Sequence, residues 1–142
     1  MGAEAMNRDR VLRVALQIGL WVITLFEAFG LGQAGIRKFT SMDGWWDLFE
    51  KWGYPFWFLV VIGVVELGGA VLLLVPPLAA YAAIGLIVVM FGSLATELFN
   101  EKLFGPWFPL MHIVLLSIIA MARYQMAQSP SAHVAASEPH GI

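Results

Sequence analysis

The sequence has 142 residues, of which 60% are hydrophobic and 13% are charged, with a formal net charge of −2 and no cysteine. A soluble domain is usually nearer half apolar and a quarter charged, so this composition excludes an ordinary water-soluble core and indicates a chain that lies mostly in lipid. The charge balance provides no basic surface for nucleic acid. The absence of cysteine excludes disulfides, cysteine-ligated metals and thiol catalysis by this chain alone.

Four apolar stretches are long enough, or nearly long enough, to cross a membrane, which takes about 20 mostly apolar residues in a helix. They predict an all-α integral membrane bundle of four transmembrane helices, at residues 11–35, 55–75, 78–98 and 106–122. Pro76 and Pro77 separate the second stretch from the third and predict a tight hairpin. The expected organisation is an N-terminal cytoplasmic segment, a membrane domain and a flexible tail, at 1–10, 11–124 and 125–142 respectively.

Four crossings would place both termini on one side of the membrane. The cations divide evenly, with Arg8, Arg10, Arg13 and Arg123 on the terminal side and Arg37, Lys38, Lys51 and Lys102 on the other. The arginine cluster before the first span is compact, and cytoplasmic segments carry an excess of lysine and arginine. This favours cytoplasmic termini.

The connector between the first two spans, GIRKFTSMDGWWDLFEKWGYP at residues 35–55, predicts a short amphipathic helix at the membrane interface. Asp43 is a candidate N-cap, and Gly53 is a candidate C-terminal stop. Apolar residues recur at helical spacing on one face. The helix is expected to act as an interfacial anchor or as a lid over the bundle, through Trp45, Trp46, Phe49 and Trp52.

Three ionisable side chains, Glu27, Glu66 and His112, lie inside predicted spans, where each is costly unless it has a partner. At a rise of about 1.5 Å per residue, they lie roughly 12, 16 and 9 Å from the connector side. Similar depths on three helices predict either one polar cavity, for a polar head group or a proton path, or an internal network that fixes helix packing. Two cations, Arg37 and Lys38, follow the first span. At least one of them is expected to snorkel to the interface. The alternative is that one turns inward and pairs with a buried acid.

No metal site is expected, because two carboxylates and one histidine on three separate helices form no local ligand motif. No sequence signature of a catalytic site is present, so no catalytic residue is assigned.

The chain resembles the DoxX family of small four-helix bacterial membrane proteins over about residues 11–124. The resemblance rests on GIRKF at the end of the first span, on KWGYP at the end of the connector and on GVVELGGAVLLLV in the second span. The family's pattern often has a histidine near the end of the third helix, where this chain has Glu97; this departure counts against a histidine-dependent role there. The resemblance implies a multi-pass protein of the bacterial inner membrane, in some cases linked to quinone-dependent oxidoreductase systems.

Three functions remain open at this point. The chain is expected to be an accessory or redox-linked subunit of a larger membrane complex that contributes to a quinone-type site, with other membrane subunits as partners and quinone or lipid as a noncovalent ligand. The alternatives are a purely structural or assembly subunit without a ligand site, and a small oligomeric transporter. Catalysis by the chain on its own is not expected.

Overall fold

The computed structural model describes residues 2–100 and 105–128, with side chains from residue 4. These residues form five helices, and no strand occurs within them: α1 Gly2–Thr40, α2 Met42–Lys51, α3 Phe56–Leu73, α4 Ala79–Phe99 and α5 Trp107–Gln128. The predicted all-helical class is confirmed. Four of the helices, α1, α3, α4 and α5, are long and apolar enough to cross a membrane.

The four long helices form a closed antiparallel bundle in which α1 contacts α3, α3 contacts α4, α4 contacts α5 and α5 returns to α1. The short helix α2 lies across one end and contacts α1 and α3. Away from α2, the interior is filled by aliphatic side chains such as Leu73, Leu86, Leu116 and Ile119. Because the apolar core occupies the far end of the bundle, the space below α2 is left to polar and aromatic groups.

The helices do not end where hydropathy changes. α1 begins at Gly2 and ends at Thr40, beyond both ends of the expected span 11–35. A helix makes its backbone hydrogen bonds within itself, in lipid and in water alike, so it can continue through the charged residues around Arg8 and Arg37. The expected tail, 125–142, begins inside α5, which runs to Gln128, and its remainder lies outside the described residues, as do Glu101 and Lys102.

The connector helix α2 begins at a different residue from the one predicted, but it ends where predicted. Ser41, not Asp43, is the N-cap residue, and it makes no side-chain capping bond. Gly53 has a φ of 78° in the left-handed region. Its N–H bonds to the Glu50 carbonyl, and the next N–H bonds to the Phe49 carbonyl, both at 2.9 Å. This is a Schellman termination, which turns the chain into α3.

α1 and α3 approach most closely where glycines remove the side chains between them. A Cβ atom on Gly35 would lie 2.8 Å from the backbone nitrogen of Leu67 and 3.0 Å from the carbonyl oxygen of Gly63. On Gly63, a Cβ atom would lie 3.0 Å from the ring of Phe39. Small residues of this kind let the backbones of membrane helices meet.

The surroundings of Gly35 and Gly19 predict that a glycine-to-alanine substitution has opposite effects on stability at these two positions of α1. Gly35→Ala is expected to lower the free energy of unfolding by about 1–3 kcal/mol, because the backbone it would meet cannot rotate away. Gly19→Ala is expected to raise it by up to about 1 kcal/mol, because nothing lies within 4 Å of the added atom and alanine favours the helix. Thermal unfolding in mild detergent measures both; equal effects would contradict the close approach of α1 and α3.

Candidate functional site

A cavity of about 660 Å³ lies at the α2 end of the bundle, between α1, α3, α4 and α5. Five ionisable side chains belong to its wall: Arg37, Lys38, Glu66, Glu97 and His112. Most of the remaining wall is aromatic or aliphatic, including Trp45, Phe49, Trp52, Phe58 and Phe108. Its volume falls within the range of about 300–1,000 Å³ that is usual for small-molecule sites.

Lys38 and Glu66 form a buried ion pair across α1 and α3. The Lys38 ammonium donates a hydrogen bond of 2.7 Å to Glu66 Oε2, and both side chains are almost fully enclosed. The ammonium also lies 4.7 Å from the centre of the Trp45 ring. The aromatic face of α2 therefore covers the cation, which has left water to reach the carboxylate.

Of the two candidate cations, Lys38 turns inward and Arg37 remains exposed at the cavity wall. Lys38 follows Gly35 by three residues, so it lies on the face of α1 that contacts α3. A Cβ atom on Gly63, one turn before Glu66 on α3, would lie 3.3 Å from the Cβ atom of Lys38. The close approach of the two helices thus sets the position of the pair.

Glu27 and His112 form a second buried pair, across α1 and α5. His112 Nδ1 lies 2.8 and 3.0 Å from the two carboxylate oxygens of Glu27, and Glu27 is completely enclosed. An ionised Glu27 carboxylate can only accept, and with it Nδ1 carries the proton. Nε2 makes no hydrogen bond to a described residue, and the His112 side chain lines the cavity.

The three ionisable groups predicted from depth do not have equal access to the cavity. Glu66 and His112 line it, whereas Glu27 lies behind His112 and acts through its imidazole. Phe108 packs against that imidazole in a T-shaped arrangement, with the ring centres 4.6 Å apart. His112 is therefore the only one of the Glu27–His112 pair that a ligand could touch.

The connector helix supplies an aromatic cover. Trp45, Phe49 and Trp52 line the cavity, whereas Trp46 packs edge-on against Phe56, outside it. The indole N–H of Trp52 is enclosed and has no acceptor among the described residues. An unpaired buried donor costs about 1–3 kcal/mol, which an acceptor brought by a ligand or by a movement of α2 would remove.

Sequence reasoning missed Tyr54, whose hydroxyl lies 2.8 Å from Thr96 Oγ1 and joins the connector to α4. Both residues line the cavity. Glu97, noted only as a departure from a family pattern, is buried and accepts a hydrogen bond from the Gly105 backbone N–H at 3.2 Å. For Tyr54, the KWGYP stretch was the available signal, because a tyrosine at the end of a span commonly has a polar partner for its hydroxyl group.

Arg123 was counted as a cation of the terminal side, but its side chain is buried at the end of the bundle opposite α2. Its guanidinium lies 4.7 Å from the centre of the Trp21 ring, and Nε and Nη2 have no partner among the described residues. It lies far from the cavity and contacts none of the site residues described above.

Within the described residues, no group of three or more histidine, cysteine, aspartate or glutamate side chains could hold a metal ion. The Lys38–Glu66 ion pair and the hydrogen-bonded Glu27–His112 pair are each internally matched, so the cavity has hydrogen-bonding groups rather than a ligand cage.

Residues 22–120 match the model of the DoxX-like family, which covers more than half of the chain. No curated protein and no solved structure matches the chain significantly. The matched segment includes both buried pairs and the whole connector helix.

Proposed function

The chain belongs to the DoxX-like family, and from this premise we propose that it is an accessory, redox-linked subunit of a larger membrane complex, and that its cavity binds the ring of a quinone-type molecule. The observation that carries the proposal is the cavity below α2, where apolar and aromatic walls enclose two buried ion pairs. A ring with polar atoms at its edge and an apolar body fits such a wall.

The charges of the site favour a neutral ligand. The Lys38 ammonium and the Glu66 carboxylate are matched to each other, and the His112 imidazole is bonded to the Glu27 carboxyl group. A charged ligand would add a charge without a partner to this poorly hydrated space, which is costly. A quinone carries no net charge, so its entry leaves both pairs intact.

Hydrogen-bonding groups on the wall suit the carbonyl oxygens of a quinone. The Lys38 ammonium has three N–H donors, and only one bonds to Glu66. The Trp52 N–H is without an acceptor, and His112 Nε2 can exchange a proton when Nδ1 stays on Glu27. These groups support binding and proton exchange by this chain, while electron transfer belongs to a partner subunit.

The proposed setting is the bacterial inner membrane, with both termini in the cytoplasm. Many large apolar side chains face outward from the bundle, which suits contact with lipid and with other membrane subunits. Arg8, Arg10 and Arg13 lie close together on α1 ahead of its apolar part, which supports this orientation.

A fluorescence titration of the purified full-length chain in mild detergent tests the proposal. A quinone is expected to quench tryptophan fluorescence saturably, and a hydrocarbon ring of the same size without carbonyl groups is expected to quench it much less. Trp45→Phe and Trp52→Phe should each reduce the quenching, since both rings line the cavity.

Trp107→Phe is the matched control, because Trp107 is exposed and does not line the cavity. If neither ring quenches saturably, the quinone proposal fails and a purely structural role for the two ion pairs takes its place. If quenching depends on Trp107 as much as on Trp45, the ligand binds outside the cavity.

A further inference from the structure

The cavity is not closed on the side of the bundle between α1 and α5. Four of its lining residues there turn much of their surface outward: Phe26, Phe29, Phe108 and Met111 are between 39% and 71% exposed. In a chain that crosses a membrane at these helices, the outward surface faces lipid. The cavity therefore meets the hydrocarbon along the α1–α5 seam.

The helical positions of these residues agree with this location. With about 100° per residue, Phe26, Gly30 and Gln33 lie on one flank of α1. Gly30 faces α5, since a Cβ atom there would lie 3.6 Å from His112 Cε1. On α5, Phe108 and Met111 come four residues and one residue before His112 and line the same cavity.

The polar groups lie at the inner end of this opening. His112 and Glu27 belong to the two helices that flank it, and Phe108 contacts His112 directly. A molecule that enters between α1 and α5 would meet apolar side chains first and the imidazole next. This order matches an amphiphile whose ring goes inward while its tail remains in lipid.

We infer that the gap between α1 and α5 is a lateral portal, through which a ligand with a long hydrocarbon tail enters the cavity from the bilayer and in which its tail remains when the ring is bound. The inference rests on the proposed function and specifies the ligand class: a lipid-tailed quinone rather than a water-soluble ring. The wall of the portal consists of Phe26, Phe29, Phe108 and Met111.

The other flank of the cavity is the competing route. Val88 and Gly92 on α4 also line the cavity and are exposed, on the side toward α3. On this flank the Tyr54–Thr96 hydrogen bond spans the end nearest α2. Further from α2, the Leu86 side chain packs closely against α3, because Gly69 has no Cβ atom to keep it away. These contacts narrow the α3–α4 flank, whereas the contact that joins α1 to α5 at the cavity, between Glu27 and His112, lies at the inner end of the portal.

Stopped-flow tryptophan quenching with the chain in lipid nanodiscs tests the portal with two probes, a benzoquinone without a tail and the same ring with a decyl tail. Met111→Trp is expected to slow association of the decyl compound by about tenfold, because the larger ring obstructs the portal. The tail-free ring, which leaves no tail in the portal, should be slowed much less.

Two matched variants control for adding a tryptophan. Met121→Trp lies on the same helix, is exposed and does not line the cavity, so its rates should equal those of the wild type. Val88→Trp obstructs the competing flank. If Val88→Trp slows the decyl compound and Met111→Trp does not, entry occurs between α3 and α4 and the portal is wrong.

A second design avoids any collapse of the cavity around the new ring. The chain has no cysteine, so Phe29→Cys creates a single thiol at the outer rim of the portal. The rates of the unlabelled variant are the reference, and attachment of a bulky maleimide should slow the decyl compound well below that reference while changing the tail-free ring little. Equal rates before and after labelling would overturn the portal, whereas a wild-type chain that binds neither probe would refute the quinone site itself.

Discussion

Replacing Glu66 with leucine is expected to lower the free energy of unfolding by about 3–5 kcal/mol, because the Lys38 ammonium would remain buried without its carboxylate. The distance of 2.7 Å and the enclosure of both side chains make this pair costly to break from one side. Thermal and denaturant unfolding of the full-length chain in mild detergent measures the loss.

Two further variants separate a broken pair from a damaged core. Glu50→Ala on the exposed face of α2 is expected to change stability by no more than about 0.5 kcal/mol. The double variant Lys38→Met with Glu66→Leu should recover most of the loss, because it removes both charges and fills a similar volume. Equal stability of Glu66→Leu and Glu50→Ala would contradict the buried pair.

Glu27→Leu is expected to weaken quinone binding by at least about tenfold, as the imidazole of His112 loses the charge-assisted hydrogen bonds that fix its orientation. Glu27 is completely enclosed and does not line the cavity, so any effect on the ligand has to pass through His112. Titration of the decyl quinone into the purified variant measures the affinity.

Glu27→Gln provides the control for folding. Its amide oxygen still accepts from Nδ1, so the bundle should unfold within about 1 kcal/mol of the wild type. Affinity should nevertheless fall, because a hydrogen bond to a neutral amide oxygen is weaker than one to a charged carboxylate and orients the imidazole less firmly. Unchanged affinity in both variants would show that the Glu27–His112 pair is only structural.

The general architecture follows from the sequence because hydropathy determines which segments can enter lipid. The four apolar stretches and the aromatic connector correspond to α1, α3, α4, α5 and α2. The depth of Glu27, Glu66 and His112 also follows, since it depends only on counting residues along a helix. Helix ends could not be predicted in the same way, because a helix such as α1 continues into water wherever its backbone bonds remain satisfied.

The pairing of the ionisable groups depends on how each helix is rotated about its axis. Gly35 contained part of this information, as it marks the face of α1 that meets α3 and Lys38 lies three residues further on the same face. The position of Glu27 behind His112 had no such signal. It results from the approach of α1 to α5, to which Gly30 and the Phe108 ring contribute, and the portal depends on the same unpredicted spacing.

Photoaffinity labelling with an azido-quinone tests the central claim, that the cavity binds a quinone ring, most directly. The full-length chain in nanodiscs would be illuminated with the probe, digested and mapped by mass spectrometry, with and without an excess of unlabelled quinone. We expect labels that the competitor removes on cavity residues, at Trp45 and Trp52 of α2 and at Phe108 and Met111 of α5. Labels confined to lipid-facing residues such as Phe91, Val114 and Met121, unchanged by the competitor, would contradict the account.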